Sequence, residues 1–163
     1  MRESTFKASK SEKRGLKLLN PNMEKILSVG ISTGGSAEIN MAKICPNAKV
    51  IATTVDEKGL NFSIEKMSNF KVFERVETKI EDISKPMPYE DNTFDYVYAR
   101  LVLHYLDKSQ LNDALKEIYR VLKPGGILFV VARNDKEWEI SKPEFIISYD
   151  ENTNITTYYL QWE

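Results

Sequence analysis

The chain has 163 residues, of which 42% are hydrophobic and 29% are charged, and its formal net charge is −1. This composition excludes a disordered chain, and the near-neutral charge predicts no nucleic-acid partner. The single cysteine, Cys45, excludes an intramolecular disulfide, and no cluster of cysteine and histidine indicates a metal site. Because the start of the chain is polar and no apolar run is long, we expect a cytoplasmic protein with no membrane span.

Residues 1–22 form a polar lead-in that predicts one short helix. Ser11 is the expected N-cap of this helix, and Asn20-Pro21 is its expected end. Residues 23–133 are then expected to form the core of a single domain that extends over residues 1–163.

Strand-like and helix-like segments alternate along this core. Ser109 is the expected cap of the last helix, and Pro124-Gly125-Gly126 is its expected end. The alternation predicts an α/β fold: a Rossmann-like, doubly wound parallel sheet with the strand order 3-2-1-4-5. The five predicted strands are Ile26–Val29, Val50–Val55, Val72–Ile80, Phe94–Ala99 and Ile127–Val131.

The tail differs from the core because two β-rich runs, Phe145–Tyr149 and Ile155–Trp162, flank a polar turn. Residues 144–162 therefore predict a C-terminal β-hairpin. An uncovered edge of the fifth strand would be a template for pairing, so the hairpin is expected to cover an edge in the same chain or in a homodimer.

Polar residues and glycines follow four of the predicted strands. The loop from Gly30 to Gly35 follows the first strand, Asp56 the second, Asp82 the third and Arg100 the fourth. Ligands of open α/β sheets bind beyond the carboxyl ends of the strands, where the strand order reverses. We therefore expect these residues to converge on one crevice, in which the glycines let the backbone approach a ligand closely.

The two carboxylates suit different parts of a nucleoside. Asp56 offers two oxygens that match the two vicinal hydroxyls of a ribose, and Asp82 is able to face an adenine amino group. For each of them the alternative is a helix cap or a solvent-exposed charge.

The order of these segments resembles that of class I S-adenosylmethionine-dependent methyltransferases. The likeness covers about Ile26 to Arg133 and is most specific in its last two segments. The segments that carry it are Ile26–Gly34, Val50–Asp56, Glu81-Asp82 with Lys85–Asp95, and Glu117–Gly126.

The resemblance implies S-adenosylmethionine as the cofactor and methyl transfer to a small-molecule acceptor. It implies that the loop at Gly30 and Gly34 holds the methionine part, that Asp56 takes the ribose and that Asp82 takes the adenine. The full set of cofactor-binding residues that it implies is Ser28, Gly30, Ser32, Gly34, Asp56, Glu81, Asp82, Ala99 and Arg100.

No catalytic residue follows from the sequence, because a base is needed only if the nucleophile arrives protonated. His104, Tyr105 and Arg100 are the candidates. The resemblance implies that His104 and Tyr105 lie by the substrate entrance, and that Ala99 and Arg100 lie near the sulfonium.

Two positions depart from the family pattern. The family usually has an acidic residue, which helps to hold the ammonium end of the cofactor, where this chain has Ser28. Ser32 replaces the middle glycine. The family also implies a further helix after the fifth strand, so we expect a C-terminally shortened chain.

These departures keep a second function open, a non-catalytic methyltransferase-like binding or regulatory module. A nicotinamide-dependent oxidoreductase is a third reading, but its fingerprint needs Gly-x-Gly-x-x-Gly, with a glycine at the position of Ser32.

Overall fold

The computed structural model describes residues 8–133, 146–150 and 155–161. Its strands form one sheet in the order β3-β2-β1-β4-β5-β7-β6. The strands are β1 (Lys25–Val29), β2 (Lys49–Thr54), β3 (Val76–Ile80), β4 (Phe94–Arg100), β5 (Leu122–Arg133), β6 (Ile146–Asp150) and β7 (Ile155–Gln161). The helices are α1 (Lys10–Lys17), α2 (Ser36–Ile44), α3 (Glu57–Met67) and α4 (Lys108–Val121).

The first five strands are parallel and confirm the predicted order 3-2-1-4-5 and the Rossmann-like class. β1 lies between β2 and β4, and Ile26 pairs with Val50 on one side and with Tyr96 on the other. A central parallel strand is covered on both faces, which explains why its apolar run does not alternate with polar residues.

Both faces of the sheet carry a hydrophobic core, because successive residues of a strand point to opposite sides. On one face, Tyr96 and Phe129 pack in a cluster with Ile39 of α2. On the other face, Val97 packs in a cluster with Ile118 of α4. Helices thus cover both sides, as a doubly wound sheet requires.

Helix α1 begins at a different cap from the predicted one. Ser9, not Ser11, is its N-cap: the Ser9 hydroxyl accepts from the Glu12 amide at 3.2 Å, and the Glu12 carboxylate accepts from the Ser9 amide at 2.7 Å. A glutamate three residues after a serine completes a capping box, so the helix begins two residues earlier.

Gly15 allows α1 to pack directly on the sheet. A Cβ atom at this position would lie 2.7 Å from the Tyr98 ring and 2.8 Å from the Phe129 ring. The Tyr96 hydroxyl also donates a hydrogen bond of 2.8 Å to the Gly15 carbonyl. The lead-in is therefore anchored to β4 and β5 at a point where only a glycine fits.

The third strand is shorter than predicted, because Lys71–Arg75 is a 3-10 turn and β3 begins at Val76. The Arg75 guanidinium reaches back to the end of α2 and donates hydrogen bonds to the carbonyls of Cys45 and Ala48. A third hydrogen bond goes to the carbonyl of Ala42 in the last turn of α2, where carbonyls have no amide partner within the helix, and the three bonds hold Arg75 in the turn.

The boundaries of α4 also differ from the prediction. Asp107, not Ser109, is its N-cap and forms a capping box with Gln110. The helix ends at Val121, and β5 already begins at Leu122, before the Pro-Gly-Gly segment. That segment is part of the irregular start of β5, where the pairing with β4 shifts register between Phe94 and Tyr96.

The predicted C-terminal hairpin is present, with β6 and β7 antiparallel. β7 also pairs with β5, from Ile127 opposite Gln161 to Arg133 opposite Ile155. The edge of β5 is thus covered within the chain and gives no support to a homodimer, which stays a prediction. Phe145, Trp162 and the connecting residues 134–142 lie outside the described residues.

The Glu117–Gly126 segment clamps the chain that leads into β4. The Arg120 guanidinium donates to the Tyr89 carbonyl at 2.7 Å and to the Met87 carbonyl at 3.1 Å. Glu117 accepts hydrogen bonds from Arg120 at 2.8 Å and from the Met87 amide at 2.7 Å. The segment after β3 is therefore held against α4 by the hydrogen bonds and ion pairs of Glu117 and Arg120.

The pH dependence of stability tests this clamp. Hydrogen bonding from Arg120 lowers the pKa of Glu117 from 4.5 to about 2. The ionised side chain therefore stabilises the fold fully above about pH 4.5, and this contribution is lost as the pH falls through about 2. We expect Glu117→Gln to lower the melting temperature at about pH 7 and to approach the wild type at about pH 3.

The matched control is Glu90→Gln, which removes an exposed carboxylate from the clamped segment. It should leave the melting temperature close to that of the wild type at both pH values. An equal deficit of Glu117→Gln at both pH values would contradict the clamp.

Asp95 joins the start of β4 to the start of β1. Its carboxylate accepts from the amides of Glu24 at 2.9 Å and Lys25 at 3.0 Å, and from the Lys123 ammonium at 3.0 Å. Burial alone would raise the pKa of Asp95, but these hydrogen bonds outweigh it and lower the pKa. Asp95 is therefore a structural residue at the opposite end of the strands from the predicted crevice.

We expect Asp95→Ala to lower the melting temperature by about 5 °C, because hydrogen bonds to a charged group contribute about 1–2 kcal/mol at a half-buried position. Asp113→Ala removes an exposed carboxylate from α4 and should change the melting temperature little. Thermal unfolding of the three proteins measures the difference. A wild-type melting temperature for Asp95→Ala would show that water replaces the carboxylate at no cost.

Candidate functional site

The predicted polar residues do converge at one edge of the sheet. β1 to β4 are parallel, so the loop after Val29, Asp56, Glu81 and Arg100 all leave the sheet at the same side. The connections of β1 and β4 lead to opposite faces, which makes this the point where the strand order reverses. A crevice at this point is the usual ligand site of an open α/β sheet.

The loop after β1 is fixed between the two neighbouring strand ends. The amides of Gly30 and Ile31 both donate to the Thr53 carbonyl, at 2.9 and 3.0 Å. Gly30 has a φ of +76°, and a Cβ atom there would lie 3.0 Å from Cβ of Val102. A side chain at this position would be strained and would press on the turn after β4. Gly34, with a φ of +70°, lies in the same conformational region.

A buried glutamate binds the two serines that depart from the family pattern. Glu38 of α2 is completely buried, and its Oε1 accepts from the Ser28 hydroxyl at 2.7 Å. Its Oε2 accepts from the Ser32 hydroxyl at 2.6 Å, and the Ser32 amide donates to Oε1 at 3.2 Å. Ser32 also accepts from the Ala37 amide at 3.0 Å, which places its hydroxyl at the start of α2.

The sequence patterns did not single out Glu38. One signal was available, because Glu38 precedes the buried Ala42 by four residues and so lies on the same helix face. A charged residue on the core-facing side of a helix requires partners, and the two serines supply them.

Asp56 is exposed and serves as the N-cap of α3. Its Oδ1 accepts from the Lys58 amide at 3.1 Å. Gly59, one turn into the helix, leaves space beside Oδ2, since a Cβ atom there would collide with that oxygen. The helix-cap alternative is therefore realised, and one carboxylate oxygen remains at the end of β2 for a ligand.

The two acidic residues after β3, Glu81 and Asp82, have different surroundings: Glu81 is hydrogen-bonded to a tyrosine, and Asp82 is exposed. Both oxygens of Glu81 accept from the Tyr89 hydroxyl, at 2.7 and 2.8 Å. Burial, followed by the hydrogen bond to Glu81, raises the pKa of Tyr89. Asp82 is exposed and accepts from the Ser84 amide at 2.9 Å, and hydrogen bonding from Ser84 lowers the pKa of Asp82.

A pocket opens between the ends of β1, β2 and β3. Val29, Ile83 and Met87 give it apolar walls, and Glu81 and Asp82 contribute carboxylates. Met87 is also the residue whose backbone the α4 clamp holds. The pocket therefore combines apolar walls with acceptors, a combination that suits a purine ring with an amino group.

The residues at the end of β4 lie on the other side of the loop. Ala99 is completely buried between Val29 and Val130, and the Nε atom of Arg100 donates to the Ser11 hydroxyl at 2.8 Å. Arg100 thus holds α1 to β4. The next residue, Leu101, has a φ of +56°, which is uncommon for a branched side chain and marks a strained turn at the crevice.

His104 and Tyr105 lie in the 3-10 turn Leu103–Tyr105, and their ring centroids are 4.3 Å apart. The His104 ring nitrogens are shielded from solvent, whereas Tyr105 is 75% exposed. The structure thus places both residues near the crevice, with the tyrosine alone open to a molecule in solution. A catalytic role, or a place at the substrate entrance, stays a prediction for both residues.

A second carboxylate ties α1 to the loop. Oε1 of Glu12 accepts from the Ser36 hydroxyl at 3.0 Å, and both residues are buried. Tyr98, which pairs with Ser28, has a buried hydroxyl without a hydrogen-bond partner among the described residues. Burial and the nearby carboxylates of Glu12 and Glu38 raise the pKa of Tyr98, against the effect of Arg100.

Within the described residues, no group of histidine, cysteine and acidic side chains is suited to a metal ion. In the same part of the chain, no helix has the length and apolar character needed to cross a membrane.

Comparison with known proteins shows a shared domain. A family model described as a methyltransferase domain matches residues 27–130. The chain is 36% identical over 104 residues to the sterol 4-C-methyltransferase strm-1 of Caenorhabditis elegans, which covers 64% of this chain and 29% of that protein. It is 30% identical over 120 residues to the ubiquinone/menaquinone biosynthesis C-methyltransferase UbiE of Escherichia fergusonii, which covers 74% of this chain and 44% of that protein.

The chain thus spans less than half the length of these two relatives. A solved structure of an S-adenosylmethionine-dependent methyltransferase from Aquifex aeolicus has a TM-score of 0.70 and covers 94% of this chain and 90% of its own. At 20% identity, this is a likeness in fold.

Proposed function

Because the chain belongs to the methyltransferase-domain family, of the class I S-adenosylmethionine-dependent type, we propose that it binds S-adenosylmethionine and transfers its methyl group to a small-molecule acceptor. The observation that carries the proposal is the convergence of the Gly30 loop, Asp56 and the Asp82 pocket at one edge of the sheet. The relatives named as sterol and quinone C-methyltransferases support an acceptor of small-molecule size.

The donors and acceptors at the crevice fit this cofactor. Asp56 offers carboxylate oxygen to a ribose at the end of β2, and the pocket of Ile83 and Met87 offers apolar walls to an adenine. Asp82 is an exposed carboxylate whose lowered pKa keeps it an acceptor for the adenine amino group. The Gly30 loop, which has no side chain at its closest approach to Val102, takes the methionine part.

S-adenosylmethionine supplies, when bound, a methyl group on a positively charged sulfur that is already an activated leaving group. The protein's task is then to hold the reactants in line and to exclude water. We assign the rigid loop and the strained Leu101 turn to positioning, and Arg100 to holding α1 over the sheet. Since the His104 nitrogens are covered, Tyr105 is the candidate that an acceptor reaches first.

The non-catalytic alternative depended on the shortened C-terminus and on Ser28, which deprives the end of β1 of a carboxylate. Glu38 supplies one from α2 at hydrogen-bond distance from Ser28, and this observation favours a binding-competent site. Family membership removes the nicotinamide-dependent alternative. A cytoplasmic location, the lack of a nucleic-acid partner and a homodimer stay predictions.

Asp56 gives the direct test of cofactor binding, measured by calorimetric titration with S-adenosylhomocysteine. We expect Asp56→Ala to weaken binding by about thirtyfold, because about 2 kcal/mol of charge-assisted hydrogen bonding is lost. It should also lower stability by about 1 kcal/mol, because the cap of α3 is lost. Asp56→Ser keeps a capping hydroxyl, so it should lose affinity while keeping the wild-type melting temperature.

Glu57→Ala, one residue along, is the control and should bind as the wild type does. If wild type and Asp56→Ser bind with equal affinity, Asp56 does not hold the ribose. A folded wild type that does not bind S-adenosylhomocysteine would favour the non-catalytic module.

A further inference from the structure

Glu38 is a charged side chain in an unusual position for its type. It is completely buried, and both of its oxygens accept hydrogen bonds from Ser28 or Ser32. Two hydroxyls and one amide thus converge on this single carboxyl group. Since a buried charge costs several kcal/mol unless it is well bonded, core packing alone does not account for a glutamate at this position.

All hydrogen bonds that the described residues give to Glu38 come from neutral donors. Tyr98, directly opposite Ser28 in the sheet register, has a buried hydroxyl without a hydrogen-bond partner among the described residues. Tyr98 is surrounded by the charges of Glu12, Glu38 and Arg100, that is, by two carboxylates and one guanidinium. Among the groups that act on the Tyr98 hydroxyl, the carboxylates therefore outnumber the guanidinium.

We propose that Glu38 is a positioning residue for the amino-acid end of the cofactor, and this inference rests on the proposed function. The carboxylate fixes Ser28 and Ser32, and so sets the course of the Gly30 loop between them. Its buried negative charge favours the α-ammonium group that the methionine part brings to this loop, since charges interact strongly in a site of low dielectric. Because Glu38 has no exposed surface, it acts through the loop rather than by contact.

Two probes separate this role from general support of the fold. S-adenosylhomocysteine carries the ammonium group, whereas 5′-methylthioadenosine keeps the adenosine and lacks the amino-acid part. Glu38→Gln preserves the shape of the side chain but removes its charge. We expect it to weaken binding of S-adenosylhomocysteine by about tenfold and that of methylthioadenosine by less than about twofold. Glu65→Gln, an exposed carboxylate of α3, should leave both affinities unchanged.

A second test moves the carboxylate from Glu38 on α2 to position 28 on β1 and measures whether stability and binding preference are restored. Ser28→Asp in the wild-type background places a second carboxylate beside Glu38, so we expect a clearly lower melting temperature through repulsion of like charges. In the double variant S28D/E38Q a single carboxylate again faces the loop. It should restore the melting temperature, and with it the preference for S-adenosylhomocysteine over methylthioadenosine.

Several outcomes would overturn the inference. If Glu38→Gln weakens the binding of both probes equally, Glu38 only supports the fold. If it weakens the binding of neither probe, Glu38 does not position the cofactor. If Glu38→Gln does not fold, the double variant decides, because its single carboxylate, now at position 28, should accept the hydrogen bonds that Ser32 gives to Glu38. A double variant that is unfolded, or that folds without the wild-type preference, rejects the proposal. Failure of the wild type to bind either probe would instead reject the proposed function.

Discussion

The hydrogen bonds between the buried Glu38 carboxylate and its two serines connect the parts on which the candidate site depends. They join the end of β1, the loop after it and the start of α2. Since a buried carboxylate is costly without donors, each serine is needed as much as the glutamate. The interaction thus accounts for the serines at positions 28 and 32 and for the rigid course of the loop.

The lead-in helix is attached to the same centre by independent contacts. Glu12 accepts from Ser36 at the first turn of α2, and Arg100 at the end of β4 donates to Ser11. Gly15 brings the helix backbone into direct contact with the sheet. A segment outside the family match is therefore bonded to the start of α2 and to the end of β4, two elements beside the crevice. Because of these two bonds, we expect changes in α1 to affect the site without a contact to any ligand.

The segment that most resembles the family has a structural role in this chain. Glu117 and Arg120 do not face the crevice; they hold the backbone at Met87 and Tyr89, and Met87 lines the pocket. Asp95 likewise secures strand starts at the far end of the sheet. A sequence motif that is typical of a family thus includes residues that hold a binding site in place as well as residues that contact the ligand. Specific hydrogen bonds are needed to place a pocket wall precisely.

Local patterns determined the strand order, the convergence of Gly30, Asp56 and Asp82, and the C-terminal hairpin, because apolar periodicity and turn residues act over a few neighbours. Helix starts were misplaced at Ser11 and Ser109, where a capping box with a partner three residues on decided the boundary. The tertiary structure alone decided that the predicted hairpin covers β5 within the chain, and that Glu38 meets Ser28. Both depend on which surfaces the sheet brings together. The local sequence around a strand edge or a buried carboxylate does not show which distant segment will pair with it.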